Sequence, residues 1–366
     1  MRPPSKPDSL TILLVRPRLI GDVILTTPAI RALRRRYPDA TLLYLVEALA
    51  APVVAQNPHL SEVLVIRRRR GWRRWLEDLR LARRLRRRRI DVAIDFHGGP
   101  RSAWLTWATR ARMRVGYDVA DRRWMYTHVV PKPRGYAPRH SVQNQWDLLA
   151  PLDDAFLQPP DRTRDRIEMP ISADVRAGVA RRLEQIGLGA DQRLVIVHGA
   201  AGNEFRRWPA ASFARVVASL AERGPDWVVA VLGGPGDEST VMEIVNAARA
   251  AAYGTNDRII PIVGWPLEQV RALMERAELF VGGDSGPMHV AATTDVPIVA
   301  IFGPTMPATW APWRPEHLPL AILDVGSLPC RPCDQRVCEP GDFRCLRHIA
   351  PETVASAATM LLERTR

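Results

Sequence analysis

The stretch Phe280-Val281-Gly282-Gly283-Asp284-Ser285-Gly286-Pro287-Met288-His289-Val290-Ala291-Ala292-Thr293 decides the fold. Its apolar opening reads as a buried strand, Leu279–Gly282. Two glycines and Asp284-Ser285 then make a tight turn, and Pro287–Thr294 continues as a helix. Strand, turn and helix in that order are the unit of a parallel sheet with crossover helices. The N–H groups and positive dipole end at the start of such a helix suit a pyrophosphate. Ser285 adds a hydroxyl, and His289 lies about one turn inside the helix, as a ligand-facing or a buried packing residue.

The Gly-Asp-Ser-Gly-Pro string also occurs around the nucleophile of trypsin-like proteases. Those proteases are all-β, whereas here alternation of strand and helix extends outward on both sides. Thr11–Val15, Thr41–Val46, Val63–Ile66 and Val92–Phe96 read as strands, with helices at Thr27–Tyr37 and Trp72–Arg88. The pattern weakens between Ala120 and Pro170 and then resumes. Leu194–His198, Val228–Leu232, Ile259–Val263 and Ile298–Phe302 are the further strands. Ala210–Arg223, Ser239–Ala251, Leu267–Ala277 and Pro351–Arg364 are the further helices. The expected organisation is two α/β domains, 1–170 and 171–366, the second carrying a Cys-rich loop at 330–345 before its last helix.

The 366 residues, 46% hydrophobic and 25% charged, are those of a globular chain. No apolar run reaches the roughly 18–20 residues of a membrane span. The run Ile12–Val15 behind the polar N-terminus is too short for a signal-peptide core, so a cytoplasmic protein is expected. The net charge is +13, and only Lys6 and Lys132 are lysines. Arginine on solvated faces accounts for such a charge, and so does attraction to an anionic partner. No nucleic-acid reading module is present, so specific nucleic-acid binding is not expected. The arginines concentrate at Arg67–Arg70, Arg73, Arg74, Arg83, Arg84 and Arg86–Arg89. Trp72, Trp75, Leu76, Leu79 and Leu85 are spaced as one helical face, which predicts a docked helix whose outer face meets an anionic membrane or a phosphorylated acceptor.

Ligands of parallel sheets bind outside the carboxyl ends of the strands, and the chemistry-bearing residues cluster there. Arg16-Pro17-Arg18-Leu19-Ile20-Gly21-Asp22 follows the first strand; Gly21 allows a tight turn. Asp22 is either a helix N-cap or a carboxylate able to take a proton from a substrate hydroxyl. His198-Gly199-Ala200-Ala201-Gly202-Asn203-Glu204-Phe205-Arg206-Arg207-Trp208-Pro209 either offers small residues and a guanidinium fork for phosphate or is a solvated basic loop with Trp208 packed as a structural lid. Leu232-Gly233-Gly234-Pro235-Gly236-Asp237-Glu238 lacks the third glycine of a dinucleotide fingerprint, which argues against a nicotinamide enzyme. Glu238 can hold a ribose or sugar hydroxyl, or serve as a helix N-terminal acid. Cys330, Cys333, Cys338 and Cys345 lie in one loop; structural zinc and a metal-free state stay equally open.

Taken in order, these motifs resemble glycosyltransferase family 9, the ADP-heptose:lipopolysaccharide heptosyltransferases. The resemblance rests on Gly21-Asp22 with Thr26-Thr27-Pro28, on His140-Ser141-Val142 with Asp147-Leu148-Leu149, on Arg206-Arg207-Trp208-Pro209 and on Gly283 to His289. It implies a glycosyltransferase-B fold, two Rossmann-like domains with parallel sheets facing across a cleft. The first domain would bind the acceptor and the second a nucleotide sugar, ADP-heptose, with inversion at the anomeric carbon. Asp22 would be the general base, with Arg18, Gly21, Arg101 and His140 on the acceptor side. Arg206, Glu238, Asp284, Ser285, Gly286 and His289 would hold the donor. No Asp-x-Asp metal motif lies in a suitable loop, so arginine and the helix dipole would replace a divalent ion, and no cofactor would be required for catalysis. The implied acceptor is the lipopolysaccharide core or another anionic glycolipid, met at the cytoplasmic face of the inner membrane. The rival readings are an enzyme of another nucleotide sugar, a transferase or epimerase, and a basic non-enzymatic binder of membrane or nucleic acid.

Overall fold

Ile12, Leu13, Leu14 and Val15 are wholly buried, on both faces of the strand they form. Continuous apolar runs of this kind belong to parallel sheets covered on both sides. In the computed structural model, which describes residues 10–66, 71–132, 139–189, 191–252 and 254–364, two such sheets occur in two compact units, Met1–Pro170 and Ile171–Arg366.

The first unit contains β1 (Thr11–Val15), β2 (Thr41–Glu47), β3 (Glu62–Ile66), β4 (Val92–Asp95), β5 (Met113–Tyr117) and β6 (His128–Val130). Its helices are α1 (Ile20–Ile24), α2 (Thr27–Arg36), α3 (Trp72–Arg87), α4 (Pro100–Ala108) and α5 (Ser141–Trp146). The strands run parallel in the order β3-β2-β1-β4-β5-β6. The chain steps outward from β1 in one direction and then in the other, so β1 and β4 flank the point where the order reverses. Such a point leaves a crevice at the carboxyl ends of the strands.

The second unit repeats the plan. Its strands are β7 (Arg193–His198), β8 (Trp227–Gly233), β9 (Ile259–Val263), β10 (Leu279–Gly283), β11 (Ile298–Ile301) and β12 (Leu320–Leu323). They run parallel in the order β12-β11-β10-β7-β8-β9, with the reversal between β7 and β10. The helices are α6 (Ala173–Gln185), α7 (Ala210–Ala221), α8 (Glu238–Ala251), α9 (Leu267–Arg276), α10 (Gly286–Ala291), α11 (Pro307–Trp310), α12 (Arg344–Arg347) and α13 (Pro351–Arg364). Trp208 and Phe213 meet edge-on at 4.9 Å in the core of this unit, and the Trp208 indole N–H donates to the Ile349 carbonyl at 3.2 Å. Trp208 is therefore a core residue rather than part of a ligand surface.

Three strands lay outside the sequence reading. β5 carries Arg114 and Gly116, β6 is three residues long at a sheet edge, and β12 is the half-buried edge of the other sheet. Edge strands stay short and mixed in character because unpaired apolar edges aggregate, which removes the apolar run that marks a strand.

The α3 expectation needs correction. Leu81, Ala82 and Leu85 are buried, and the two leucines join the core under the first sheet. Trp72 and Trp75 are instead 68% and 67% exposed, and Leu76 and Leu79 are 42% and 38% exposed. At about 100° per residue, Leu85 belongs to a stripe with Asp78, Leu81 and Ala82, spaced i, i+3, i+4 and i+7. The tryptophans, Leu76 and Leu79 form a second stripe that points outward. Asp78 occupies the docked stripe because Arg101 of α4 pairs with it, Nη2 to Oδ1 at 2.6 Å. The neighbouring Arg67–Arg70 lie outside the described residues.

Candidate functional site

At the carboxyl end of β1 the chain turns through Arg16-Pro17-Arg18 into α1. The residue capping α1 is Leu19, not Asp22. Asp22 is the third helical residue, and its Oδ2 accepts the Leu19 N–H at 3.3 Å. Its Oδ1 lies 2.6 Å from Nη2 of Arg16, both side chains being only slightly exposed. Arg16 also donates to the Phe96 carbonyl just past β4. One guanidinium thus fixes the Asp22 carboxylate and joins the two strand ends that flank the reversal. Arg18 is exposed and has no hydrogen bond or ion pair among the described residues, while Gly21 is buried within α1.

The loop after β4 adds a residue that the sequence reading passed over. Buried Asp95 accepts the N–H groups of His97 and Gly98, at 2.9 and 3.0 Å, and the Tyr126 hydroxyl at 2.7 Å. Gly98 takes φ +66°, where glycine is favoured. This turn brings the His97 ring among the charges at the end of β1. Burial, then Arg16 and Arg18, push its pKa down to about 4, with Asp22 opposing, so the ring is neutral at pH 7. The signal available in the sequence was a His-Gly-Gly run directly after a strand.

Arg101, in the first turn of α4, reaches Asp78 and also Glu47 at the end of β2, at 3.4 Å. Glu47 donates its N–H to the Pro17 carbonyl at 2.9 Å, so this ion-pair cluster borders the Arg16–Asp22 loop. His140 is buried, and its Nδ1 accepts the Val142 N–H at 3.2 Å, capping α5.

In the second unit three adjacent strand ends converge. His198 ends β7; it is buried, and its pKa is lowered to about 4, chiefly by burial. Its Nδ1 shares a hydrogen bond with the Ser285 hydroxyl at 3.3 Å. Ser285 is the N-cap of α10 beyond β10. Arg206, on the loop leaving β7, donates through Nη1 to Asp284 Oδ2 at 3.2 Å. Asp284 is itself buried, with Oδ1 3.9 Å from Nε2 of the buried His289. A side chain on Gly283 would place Cβ 3.3 Å from the Arg206 carbonyl, so glycine is what lets this loop lie against β10. Glu238 opens α8 beyond β8, exposed and without an ion pair or hydrogen bond among the described residues. It is an acid in the first turn of α8, as its alternative reading expected; the N-cap is Asp237, whose Oδ2 accepts the Gly234 N–H of the preceding loop at 2.8 Å rather than a helical amide.

The Cys-rich loop joins this edge. Gln335, between Cys333 and Cys338, accepts from Arg206 Nε at 2.7 Å and from Asn203 Nδ2 at 2.9 Å. Phe343 packs on Phe205 with ring centroids 5.5 Å apart. The four cysteines form no disulfide, and burial raises the Cys345 thiol, with the other three cysteines adding to the effect. Among the described residues no group of three or more His, Cys, Asp or Glu side chains is arranged to hold a metal ion.

Two Rossmann-like units, each with a parallel six-stranded sheet whose strand order reverses at its centre, have the glycosyltransferase-B fold. Comparison with known proteins gives the family. The profile of glycosyltransferase family 9 (heptosyltransferase) matches residues 78–341, and the chain belongs to that family. It is 27% identical to lipopolysaccharide heptosyltransferase 3 of Escherichia coli over 327 residues, covering 87% of this chain and 90% of that one. The family 9 glycosyltransferase of Veillonella parvula superposes with a TM-score of 0.85 at 24% identity, over 98% of this chain and 99% of that one. The E. coli ADP-heptose lipopolysaccharide heptosyltransferase II superposes with a TM-score of 0.75 at 21% identity, over 97% and 99%. These two likenesses show the shared fold. Among the described residues no helix is long and apolar enough to cross a membrane.

Proposed function

We propose that the chain transfers a heptosyl group from ADP-heptose to a lipopolysaccharide core acceptor at the cytoplasmic face of the inner membrane, with inversion at the anomeric carbon. The observation that carries this reading is the division of labour between the two sheet edges. The first unit holds a carboxylate, Asp22, fixed by Arg16 and Leu19. The second holds cationic and hydroxyl donors, Arg206 and Ser285. The names borne by the related proteins supply the sugar and the acceptor.

In this reading Asp22 accepts the proton of an acceptor hydroxyl while its oxygen attacks the anomeric carbon. The bond from that carbon to the β-phosphate oxygen breaks, and ADP departs with one more negative charge. Arg206, the Ser285 hydroxyl and the first free amides of α10 face that charge, where fixed donors stabilise the transition state more than the ground state. α10 is only six residues long, so its dipole is a smaller contributor than Arg206. Glu238 would hold the ribose.

The test is ADP release from ADP-heptose with deacylated lipopolysaccharide core as acceptor. Asp22→Asn keeps the shape of the loop and should lower kcat by about 10²–10⁴-fold. Unchanged turnover would overturn the base assignment. A thermal-shift panel of ADP, UDP, GDP and their sugars tests the donor; a preference for a uridine or guanosine nucleotide would overturn it.

A further inference from the structure

We propose that the outward stripe of α3 docks the protein on an anionic membrane surface. The stripe has two halves. Its first two turns present Trp72, Trp75, Leu76 and Leu79 to solvent, beyond what docking of the helix requires, since Leu81, Ala82 and Leu85 already bury the other face. Its last two turns present arginine. Arg83 continues the row at i+4 from Leu79 and i+7 from Leu76, and Arg87 follows at i+4 from Arg83, with Arg80 and Arg84 beside them, all exposed. These four guanidiniums form no ion pair among the described residues. Of the two carboxylates at the centre of the helix, Asp78 is turned inward and neutralised by Arg101, and Glu77 is half-buried.

Such a surface matches one partner chemistry. Tryptophan settles at the boundary between headgroups and acyl chains, with its ring in the apolar layer and its N–H at the wet edge. Leucine dips below it, and arginine beyond snorkels to lipid phosphate while its stem covers apolar surface. A soluble protein partner needs a shaped groove or matching carboxylates. A fluid anionic interface needs only this pairing of large apolar groups with uncompensated cations. The fold gives the stripe a use. α3 leaves β3 at the carboxyl edge of the first sheet, and Arg101 ties its Asp78 to Glu47, which borders the Arg16–Asp22 loop. A lipid surface on the stripe therefore lies beside the edge that carries Asp22. The docking stands on the α3 surface alone and does not rest on the sugar-transfer reading.

The experiment uses the full chain. It is sedimented with sucrose-loaded vesicles of phosphatidylcholine alone, and with vesicles that also contain phosphatidylglycerol. Wild type should partition onto the anionic vesicles and be released by salt. Trp72→Ser/Trp75→Ser and, separately, Arg83→Gln/Arg87→Gln should each lower the partition coefficient by roughly tenfold or more. Ile186→Ser, which removes an exposed apolar side chain of the second unit, should leave it unchanged. The stripe variants should keep the wild-type melting temperature. With a deacylated acceptor they should also keep wild-type ADP release, so failure of the transfer reading would appear in every variant alike. Absence of wild-type binding, equal binding by the serine variant, or an equal loss with Ile186→Ser would overturn the proposal. So would a wild-type dimer that the serine variant dissociates, because the stripe would then face a second copy.

Discussion

Gln335 of the Cys-rich loop accepts a hydrogen bond from Nε of Arg206 at 2.7 Å, while Asp284 accepts one from Nη1 of the same guanidinium at 3.2 Å. Two edges of the fork are thus fixed from opposite sides, and Nη2 has no partner among the described residues. In a proposed donor site this presents one oriented cationic N–H pair to phosphate. Gln335→Ala should leave the charge and release the orientation. The KM for ADP-heptose should rise about threefold to tenfold, as for loss of one hydrogen bond to a charged group, with a smaller change in kcat. Steady-state kinetics with varied donor checks this.

Arg206 itself is expected to matter more. Arg206→Ala removes the cation and the hydrogen bond it gives the buried Asp284 carboxylate, so kcat/KM should fall by about 10²-fold or more. Arg206→Lys keeps the charge but reaches only one of Gln335 and Asp284, because an ammonium is a point donor rather than a fork. It should retain roughly a tenth of the activity. Equal activity of the lysine and alanine variants would place Arg206 outside the donor site.

Much of this arrangement was legible in the sequence, because it follows from local pattern. β1 and β9 run as read, since each is a short apolar run bounded by turns, and Asp22, Arg206 and Ser285 stand at strand ends as their motifs placed them. What escaped notice depends on long-range pairing. Gln335 is an ordinary polar residue until the fold lays its loop on Arg206, 129 positions earlier. His97 owes its lowered pKa to burial and to Arg16 and Arg18, which stand at a different strand end. The misjudged face of α3 has the same origin. Asp78 looks like a solvated residue in the sequence, yet Arg101 makes it part of the docked stripe, and the apolar residues that seemed to mark the core then face outward.

The Asp78–Arg101 pair yields a stability prediction. Both side chains are mostly buried, and Arg101 is the only described residue that reaches both Asp78 and Glu47. Arg101→Leu would leave two carboxylates close together in a poorly solvated position. It should destabilise the first unit by about 2–4 kcal/mol, since removing one partner of a buried pair costs more than the pair contributes. Asp78→Asn should cost less, because Arg101 keeps Glu47. Urea denaturation of both variants tests the order; equal stability of Arg101→Leu and wild type would contradict the packing of α3 described above.

The buried His198 fixes how stability responds to acid. Its pKa in the fold is about 4, below the ordinary histidine value of about 6.5, because burial penalises the imidazolium. Below about pH 6.5 the unfolded chain takes up a proton at this position that the folded chain refuses. Between these two values the unfolded state therefore binds more protons, and unfolding free energy rises with pH. Stability linked to His198 is fully present above about 6.5 and is lost as pH falls towards 4, by at most about 3 kcal/mol. His97 acts in the same window with the same sign, weakened by its greater exposure. Urea unfolding between pH 7.5 and 4.5 should show falling stability, and His198→Asn, which cannot titrate, should flatten part of that slope while His97 maintains the rest. The same substitution removes the partner of the Ser285 hydroxyl, so donor KM should rise at pH 8, where the stability difference has vanished. An unaltered slope in His198→Asn would mean that His198 is hydrated in solution.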